Sequence, residues 1–292
     1  MRGKPVISIV GAGSLAGALA PALRRAGYRI DEVISRDVRK SRHRARELAR
    51  KVDAKAKTFD SACYNANLFW ICTTDSSIAE CAHLLAICGK NWQGKYALHS
   101  SGALTSSELA ELRRLGAAVA SLHPMMTFVQ SSAPSLRGVG FAVEGDTPVC
   151  TLARRIVKDL GGQLIAIPAA RKVFYHAWGA FASPLLIMEL AIAEHVARAA
   201  GIKPALARCT MEPIVRRTID NYFRHGASAA FSGPLVRGDV QTVRGHLREL
   251  SKIPEAREVY LALSRSARKT LPVRGGAEML QVLGGRAPTR KR

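Results

Sequence analysis

The 292-residue chain has no Cys-x-x-Cys pair, no internal repeat, no low-complexity stretch, and 22 acidic residues against 44 basic ones. Each shortage excludes something. Without paired spacing, Cys63, Cys72, Cys81, Cys88, Cys150 and Cys209 fit neither a disulfide scaffold nor a zinc module, and they read as reduced core thiols of a cytoplasmic protein. Past Leu23 no segment offers the ~20 uninterrupted apolar residues of a membrane span, so no membrane partner is expected. The apolar run up to Leu23, behind Met1-Arg2-Gly3-Lys4, imitates a secretory leader, but the glycine spacing inside it argues against one.

The shortage of acid leaves a formal charge of +22, which attracts polyanions. The basic residues are scattered along segments such as Arg39 to Lys51, without aromatic interleaving or zinc spacing. That pattern fits a solvated basic surface with an anionic cofactor or a small anionic substrate, and nucleic acid is not expected. A hydrophobic share of 48% and a length of 292 residues suit two globular domains.

Val6 to Val10 is a β-branched run ending in glycines, and Leu15 to Ala26 then has helical spacing closed by Gly27. Strands are expected at 29–34, 67–72, 95–99 and 117–121, alternating with helices at 39–52, 76–88 and 105–115. Strands at 140–143 and 163–167 flank a helix at 149–160. Such alternation predicts an α/β fold with a mostly parallel, doubly wound Rossmann sheet. Past residue 168 the strand signal stops and helices are expected at 172–200, 204–226, 236–250, 254–270 and 276–283. The expected organisation is therefore 1–168 as a nucleotide-binding domain, 169–284 as an all-α substrate and dimerisation domain, and 285–292 as a basic disordered tail.

Gly11-Ala12-Gly13-Ser14-Leu15-Ala16 follows a strand and opens a helix, the context that a dinucleotide fingerprint requires. The first glycine permits the turn, the second lets the backbone approach a pyrophosphate, and Ala16 allows close helix packing. The free amides at the helix start then meet the phosphates. Thr73, Thr74 and Asp75, closing another strand, join the expected cofactor set. At the end of the second strand, where an acid would bind the ribose of NAD, stand Ser35 and Arg36. A hydroxyl and a guanidinium suit a 2′-phosphate, so NADP is preferred to NAD. The alternative is an ordinary basic helix start capped by Asp37.

These residues resemble a known family, the Rossmann-like proteins with C-terminal domain of unknown function 2520. Its distant relatives are pyrroline-5-carboxylate reductase, deazaflavin-dependent NADP reductase and the 6-phosphogluconate dehydrogenase-like proteins. The resemblance covers about residues 5 to 265. It rests on the glycine turn with Ser35-Arg36, on Leu98-His99-Ser100-Ser101-Gly102-Ala103, on Leu122-His123-Pro124-Met125-Met126-Thr127-Phe128, on Tyr175-His176-Ala177, and on Ser232-Gly233-Pro234-Leu235-Val236-Arg237-Gly238-Asp239. The chain departs from the family pattern at Ser183-Pro184, where members usually carry Ser-Asn. The resemblance implies a helical second domain like that of 6-phosphogluconate dehydrogenase, a homodimer, and a polar residue on the interdomain helix that contacts substrate.

Ligands of doubly wound sheets sit beyond the carboxyl ends of the strands, where His99 and His123 both lie. Each can polarise a carbonyl or imine and supply the proton that accompanies hydride transfer; equally, each can serve only to satisfy strand-end backbone. The catalytic candidates are His99, His123, His176 and Ser101, with His176 chosen over Tyr175 because adjacent helical residues diverge by about a hundred degrees. Ser100, Ser183 and Arg237 are the candidate substrate contacts, Arg237 as a carboxylate clamp unless it forms a structural ion pair. His83, His225 and His246 lack companion ligands, so no metal is expected. The sequence thus points to an NADP-dependent oxidoreductase for a small carbonyl, hydroxy-acid or imine substrate. A non-catalytic NAD(P)-binding sensor is the other reading.

Overall fold

The computed structural model describes residues 3–129 and 134–284, and the tail expected over 285–292 lies outside them. The chain divides into two compact units, Met1–Ser183 and Pro184–Arg292.

The first unit runs β1 (Ile7–Val10), α1 (Ser14–Arg25), β2 (Ile30–Ser35), α2 (Arg39–Val52), β3 (Lys55–Thr58), β4 (Leu68–Ile71), α3 (Ile78–Cys88), β5 (Tyr96–His99), α4 (Ala110–Arg114), β6 (Ala118–Pro124), β7 (Gly140–Gly145), α5 (Thr147–Asp159), β8 (Gln163–Ala166) and α6 (Lys172–Ala182). The eight strands form one sheet in the order β3-β2-β1-β4-β5-β6-β7-β8. All neighbours are parallel except β6 and β7. Consecutive connections leave β1 toward one edge and resume from β4 toward the other, so the switch point lies between β1 and β4.

Alternation along the strands splits the core in two. Ile7, Ile9, Leu68, Trp70, Leu98 and Leu122 pack with α1, α2 and α5, whereas Val10, Phe69, Ile71, Ala97 and Val119 pack with α3 and α4. Successive side chains point to opposite faces of a sheet, so continuous apolar strands such as Leu68–Ile71 must be covered on both sides. Each large side chain buried this way stabilises by about 1.5–3 kcal/mol relative to exposure.

β3 carries no apolar alternation and was not expected. Its Lys55-Ala56-Lys57-Thr58 sequence pairs with β2 at the sheet edge, where lysines discourage further strand addition. The strand pattern ends at 168, but α6 stays with the sheet unit because Lys172 and Tyr175 are buried and bonded to strand-end groups.

The second unit is helical: α7 (Pro184–Ala199), α8 (Pro204–His225), α9 (Ala227–Ala230), α10 (Pro234–Arg237), α11 (Val240–Glu249), α12 (Pro254–Thr270) and α13 (Gly276–Val282). Its core is small, formed by Val240, Val243, Leu247, Leu261, Met279 and Leu283. Two helices expected as continuous are broken. The 172–200 helix stops at Ser183, held at φ −136° and ψ −80°, because the residue before a proline is pushed out of the helical region. The 236–250 helix is interrupted at Gly238-Asp239, between α10 and α11.

Charged or polar residues interrupt every later segment before it reaches ~20 apolar residues, but one segment is apolar on average. Ala169–Ala199 reaches a mean hydropathy of 1.4 over its most apolar window, enough by length and composition. Ser183 divides that segment into two helices, and Lys172 and Tyr175 in its first half bond to the sheet unit. The cysteines also divide: Cys72 and Cys81 are buried, but Cys63 and Cys209 are exposed, so they are not all core thiols.

Candidate cofactor and active site

A cleft of about 330 Å³ opens at the switch point, walled by Gly11, Ala12, Gly13, Ser14, Leu15, Ser35, Arg36, Thr73 and Thr74, all expected from sequence. Gly11 has φ +94°, and a Cβ there would lie 2.8 Å from Thr73 Cγ2 and 3.0 Å from the Cys72 carbonyl oxygen. The turn therefore needs glycine for its backbone and for the closeness of β4. Gly13 caps α1 without a side-chain hydrogen bond, and no acid stands in the first turn. The positive end of that 12-residue helix is thus left for a ligand anion.

Two expected cofactor residues stand off this wall. Ala16 is fully buried and does the packing its small size permits. Asp75 is exposed and opens a short 3-10 turn before α3. Asp37 does not cap α2: Val38 occupies that position, and Asp37 pairs with Arg42 at 2.9 Å. Sequence reading missed Ser41 and Arg44, which line the cleft from α2 beside Arg36. Their i, i+3 spacing on a helix entered directly from Ser35-Arg36 was the available signal.

At the ends of β5 and β6 the candidate catalytic residues separate. His99 is 0% exposed; its Nε2 donates to the Thr105 carbonyl at 2.9 Å, while Nδ1 accepts from the Ser101 amide at 3.2 Å. Burial, with the Lys172 charge nearby, pushes it down to about 4. Both ring nitrogens are engaged, so His99 is a structural histidine rather than a proton donor. Ser101 Oγ accepts from the Ala103 and Leu104 amides at 3.2 and 2.9 Å, which holds the loop after β5. Ser100 Oγ accepts from Trp70 Nε1 at 2.8 Å, which ties it to the β4 core.

His123 keeps a free nitrogen. Its Nδ1 lies 3.0 Å from the Tyr175 hydroxyl, and among the described residues its Nε2 has no hydrogen-bond partner. Burial first, then the Lys172 charge, push it down to about 4, so the ring is neutral at pH 7. Burial raises Tyr175 to about 12, so its phenol keeps its proton. His176 is exposed, with its ring centroid 6.3 Å from that of His123. Tyr175 is buried and His176 exposed, so the neighbouring positions on α6 point apart while both lie near His123. Gly102 separates the two imidazoles: a Cβ there would lie 2.7 Å from His176 Cδ2 and 3.0 Å from His123 Nε2.

Ser183 lies beyond the end of α6, its hydroxyl 3.0 Å from that of Thr127, so it does not share a helical face with His176 as expected. Arg237 is paired with Asp239 at 2.8 Å, the structural ion pair rather than a free clamp, and Asp239 makes no side-chain cap bond to α11. Lys172, which the sequence reading passed over, is 1% exposed; it donates to the Ser101 carbonyl at 2.9 Å and to Ser121 Oγ.

A mostly parallel sheet with a glycine turn, an uncapped helix start and a basic second-strand end at its switch point defines a Rossmann-type dinucleotide-binding fold. In agreement, a Rossmann-like domain model matches residues 2–124, and a domain of unknown function, DUF2520, matches residues 139–267. The chain joins these two domains in that order. Among solved structures it is similar to a Bacteroides fragilis protein provisionally named an NADP oxidoreductase, with 25% identity, TM-score 0.74, and coverage of 91% of this chain and 98% of that one. A Thermotoga maritima protein named without an activity follows at 24% identity and TM-score 0.72, over 90% and 97% of the two chains. A reductive aminase of Aspergillus terreus, solved with NADPH and ethyl-5-oxohexanoate, shares the fold at 15% identity and TM-score 0.63, over 97% and 99%. No curated protein matches in sequence.

Proposed function

We propose that this protein is an NADP-dependent reductase acting on a small carbonyl, hydroxy-acid or imine compound. The observation that carries the proposal is the switch-point cleft, where a turn that tolerates only glycine at position 11 and an uncapped helix start meet Arg36 and Arg44. The names of two similar structures, an NADP oxidoreductase and an NADPH-bound reductive aminase, support the choice of cofactor. The amides of Gly13 to Leu15 would hold the pyrophosphate. Ser35, Arg36, Ser41 and Arg44 would hold the 2′-phosphate through charge-assisted hydrogen bonds.

When bound, the cofactor supplies the hydride. The chain's own part is to stabilise charge at the carbonyl oxygen or imine nitrogen and to deliver a proton there. The Tyr175 hydroxyl lies 3.0 Å from His123 Nδ1 and 3.4 Å from the His123 carbonyl; in the tautomer in which the phenol donates to Nδ1, the imidazole proton sits on Nε2, on the side of Gly102 and His176. A neutral Nε2–H is a hydrogen-bond donor that polarises the acceptor without competing for its proton. His176, exposed to water, is our choice for carrying the proton. A net charge of +22 favours an anionic substrate, and free cysteines suit a cytoplasmic setting.

A second copy of the chain is the partner we propose for the helical unit. α7 has no buried residue, and Ile187, Met188, Leu206, Ile214 and Phe223 are all more than half exposed. Such a surface is costly in water unless it is covered. Light scattering should read a dimer, and Phe223→Glu should shift it toward monomer; a monomeric wild type contradicts this.

Turnover is tested by mixing the protein and NADPH with panels of small imines and oxo-acids and following nicotinamide absorbance. We expect oxidation with at least one class, reduced on the order of 100-fold by His123→Gln with NADPH affinity kept. Tight NADPH binding without oxidation by any class would instead support the sensor.

A further inference from the structure

Lys172 opens α6 with its ammonium enclosed. Lysine is almost never fully buried without a partner of opposite charge, yet among the described residues this one has no carboxylate within ion-pair distance. Its bonds go to two neutral acceptors, the Ser101 carbonyl and Ser121 Oγ, and Ser121 Oγ itself donates to the same carbonyl at 3.0 Å. Three segments of chain thus meet at one cation: the loop after β5, the strand β6, and the start of α6. Holding a cation against dipoles alone is costly, and a methionine of similar length would close the same contact without that cost.

The surroundings indicate what the charge acts on. The Ser101 that accepts from it also donates its amide to His99, Ser121 lies two residues before His123 on β6, and Tyr175 of its own helix bonds His123; the Lys172 charge reaches both imidazoles, and Glu144 on β7 and Asp75 after β4 are the acids whose charge reaches it. Both strand-end imidazoles stand within its field, and one of them, His123, has the free nitrogen.

We infer that Lys172 is an electrostatic positioning residue, which clamps α6 to the ends of β5 and β6 and holds a buried positive charge on the side of the site where His123 lies. The significance for turnover rests on the reductase reading, whereas the coupling of Lys172 to His123 does not. Consistent with it, the Lys172 charge follows burial among the causes that lower His123 to about 4. Burial lowers Lys172 itself to about 8, and Glu144 and Asp75 oppose that fall. The lysine therefore carries its charge through the neutral range and loses it on the alkaline side.

The test is ¹⁵N-histidine NMR on the full chain, the His123 signals assigned by their loss in His123→Gln. In wild type, His123 should stay neutral on acidification until near pH 4, and in Lys172→Met its midpoint should rise by about one pH unit. Lys172→Arg, which keeps the charge, should leave the midpoint near the wild-type value. An unchanged midpoint in folded Lys172→Met, or an equal rise in Lys172→Arg, would overturn the inference. Should Lys172→Met not fold, the wild-type signals decide: an inflection of the His123 ring shifts near pH 8 supports the coupling, and a flat response there refutes it. NADPH titration of the same samples is the separate readout: loss of cofactor binding in wild type would defeat the reductase reading and leave the coupling standing.

Discussion

Two strand-end regions of one sheet can be compared directly. At the end of β1 the floor of the cleft is contiguous main chain, with Gly11 to Leu15 contributing a glycine turn and the uncapped start of α1. At the ends of β5 and β6 the groups come from residues 99–102, 121–123 and 172–176, brought together by the packing of α6. The first region depends on backbone geometry and is sensitive to any added atom. The second depends on how a few polar side chains divide their hydrogen bonds, and so on protonation.

The largest effect should come from placing a side chain in the main-chain region. Gly11→Val forces a β-branched residue to φ +94° and against Thr73 and Cys72; NADPH affinity should fall on the order of 100-fold by fluorescence titration. An affinity within a few-fold of wild type would show that the two regions do not differ in this way.

Acid should single out the second region. His99 is pushed from 6.5 down to about 4, chiefly by burial. The unfolded chain therefore takes up a proton as pH falls through 6.5, while the folded chain resists until about 4. Stability present above pH 6.5 is lost progressively between those values, by roughly 3 kcal/mol for His99 alone, and levels off below. Urea unfolding at pH 7, 5.5 and 4 measures this, and the loss should shrink in a folded His99→Gln variant.

Gly102→Ala sharpens the comparison from the other side, because its methyl would meet both imidazoles. Turnover should fall about 10- to 100-fold while NADPH affinity changes little. Equal losses in both would mean that the two regions are not separable. The smallest effect is expected from Arg44→Ala: a single charge-assisted contact removed from the cleft should weaken NADPH by about 10-fold and NADH hardly at all.

The same contrast explains what could be read from the chain. The doubly wound sheet and the cofactor wall were legible because strand alternation and a glycine turn are local patterns, and Arg44 was within reach of the same helical periodicity. β3 was not, since Lys55 and Lys57 mark an edge strand that buries little. His99 and His123 look alike in sequence, each in a strand-end segment; what separates them is the Thr105 carbonyl and the Ser101 amide on one side and the Tyr175 hydroxyl on the other. Lys172 reads as a solvated helix start, and only the approach of Ser101 and Ser121 makes it a buried cation. Ser183 showed its polarity but not its geometry, which Pro184 sets.

The central claim is that the β1–β4 cleft selects NADP, and titrating the wild-type protein with NADPH and NADH by fluorescence, beside Arg36→Ala, tests it most directly. The account predicts NADPH bound at least about 10-fold more tightly than NADH, with the difference largely removed in the variant. Binding of neither dinucleotide, or equal binding of both in wild type, would contradict it.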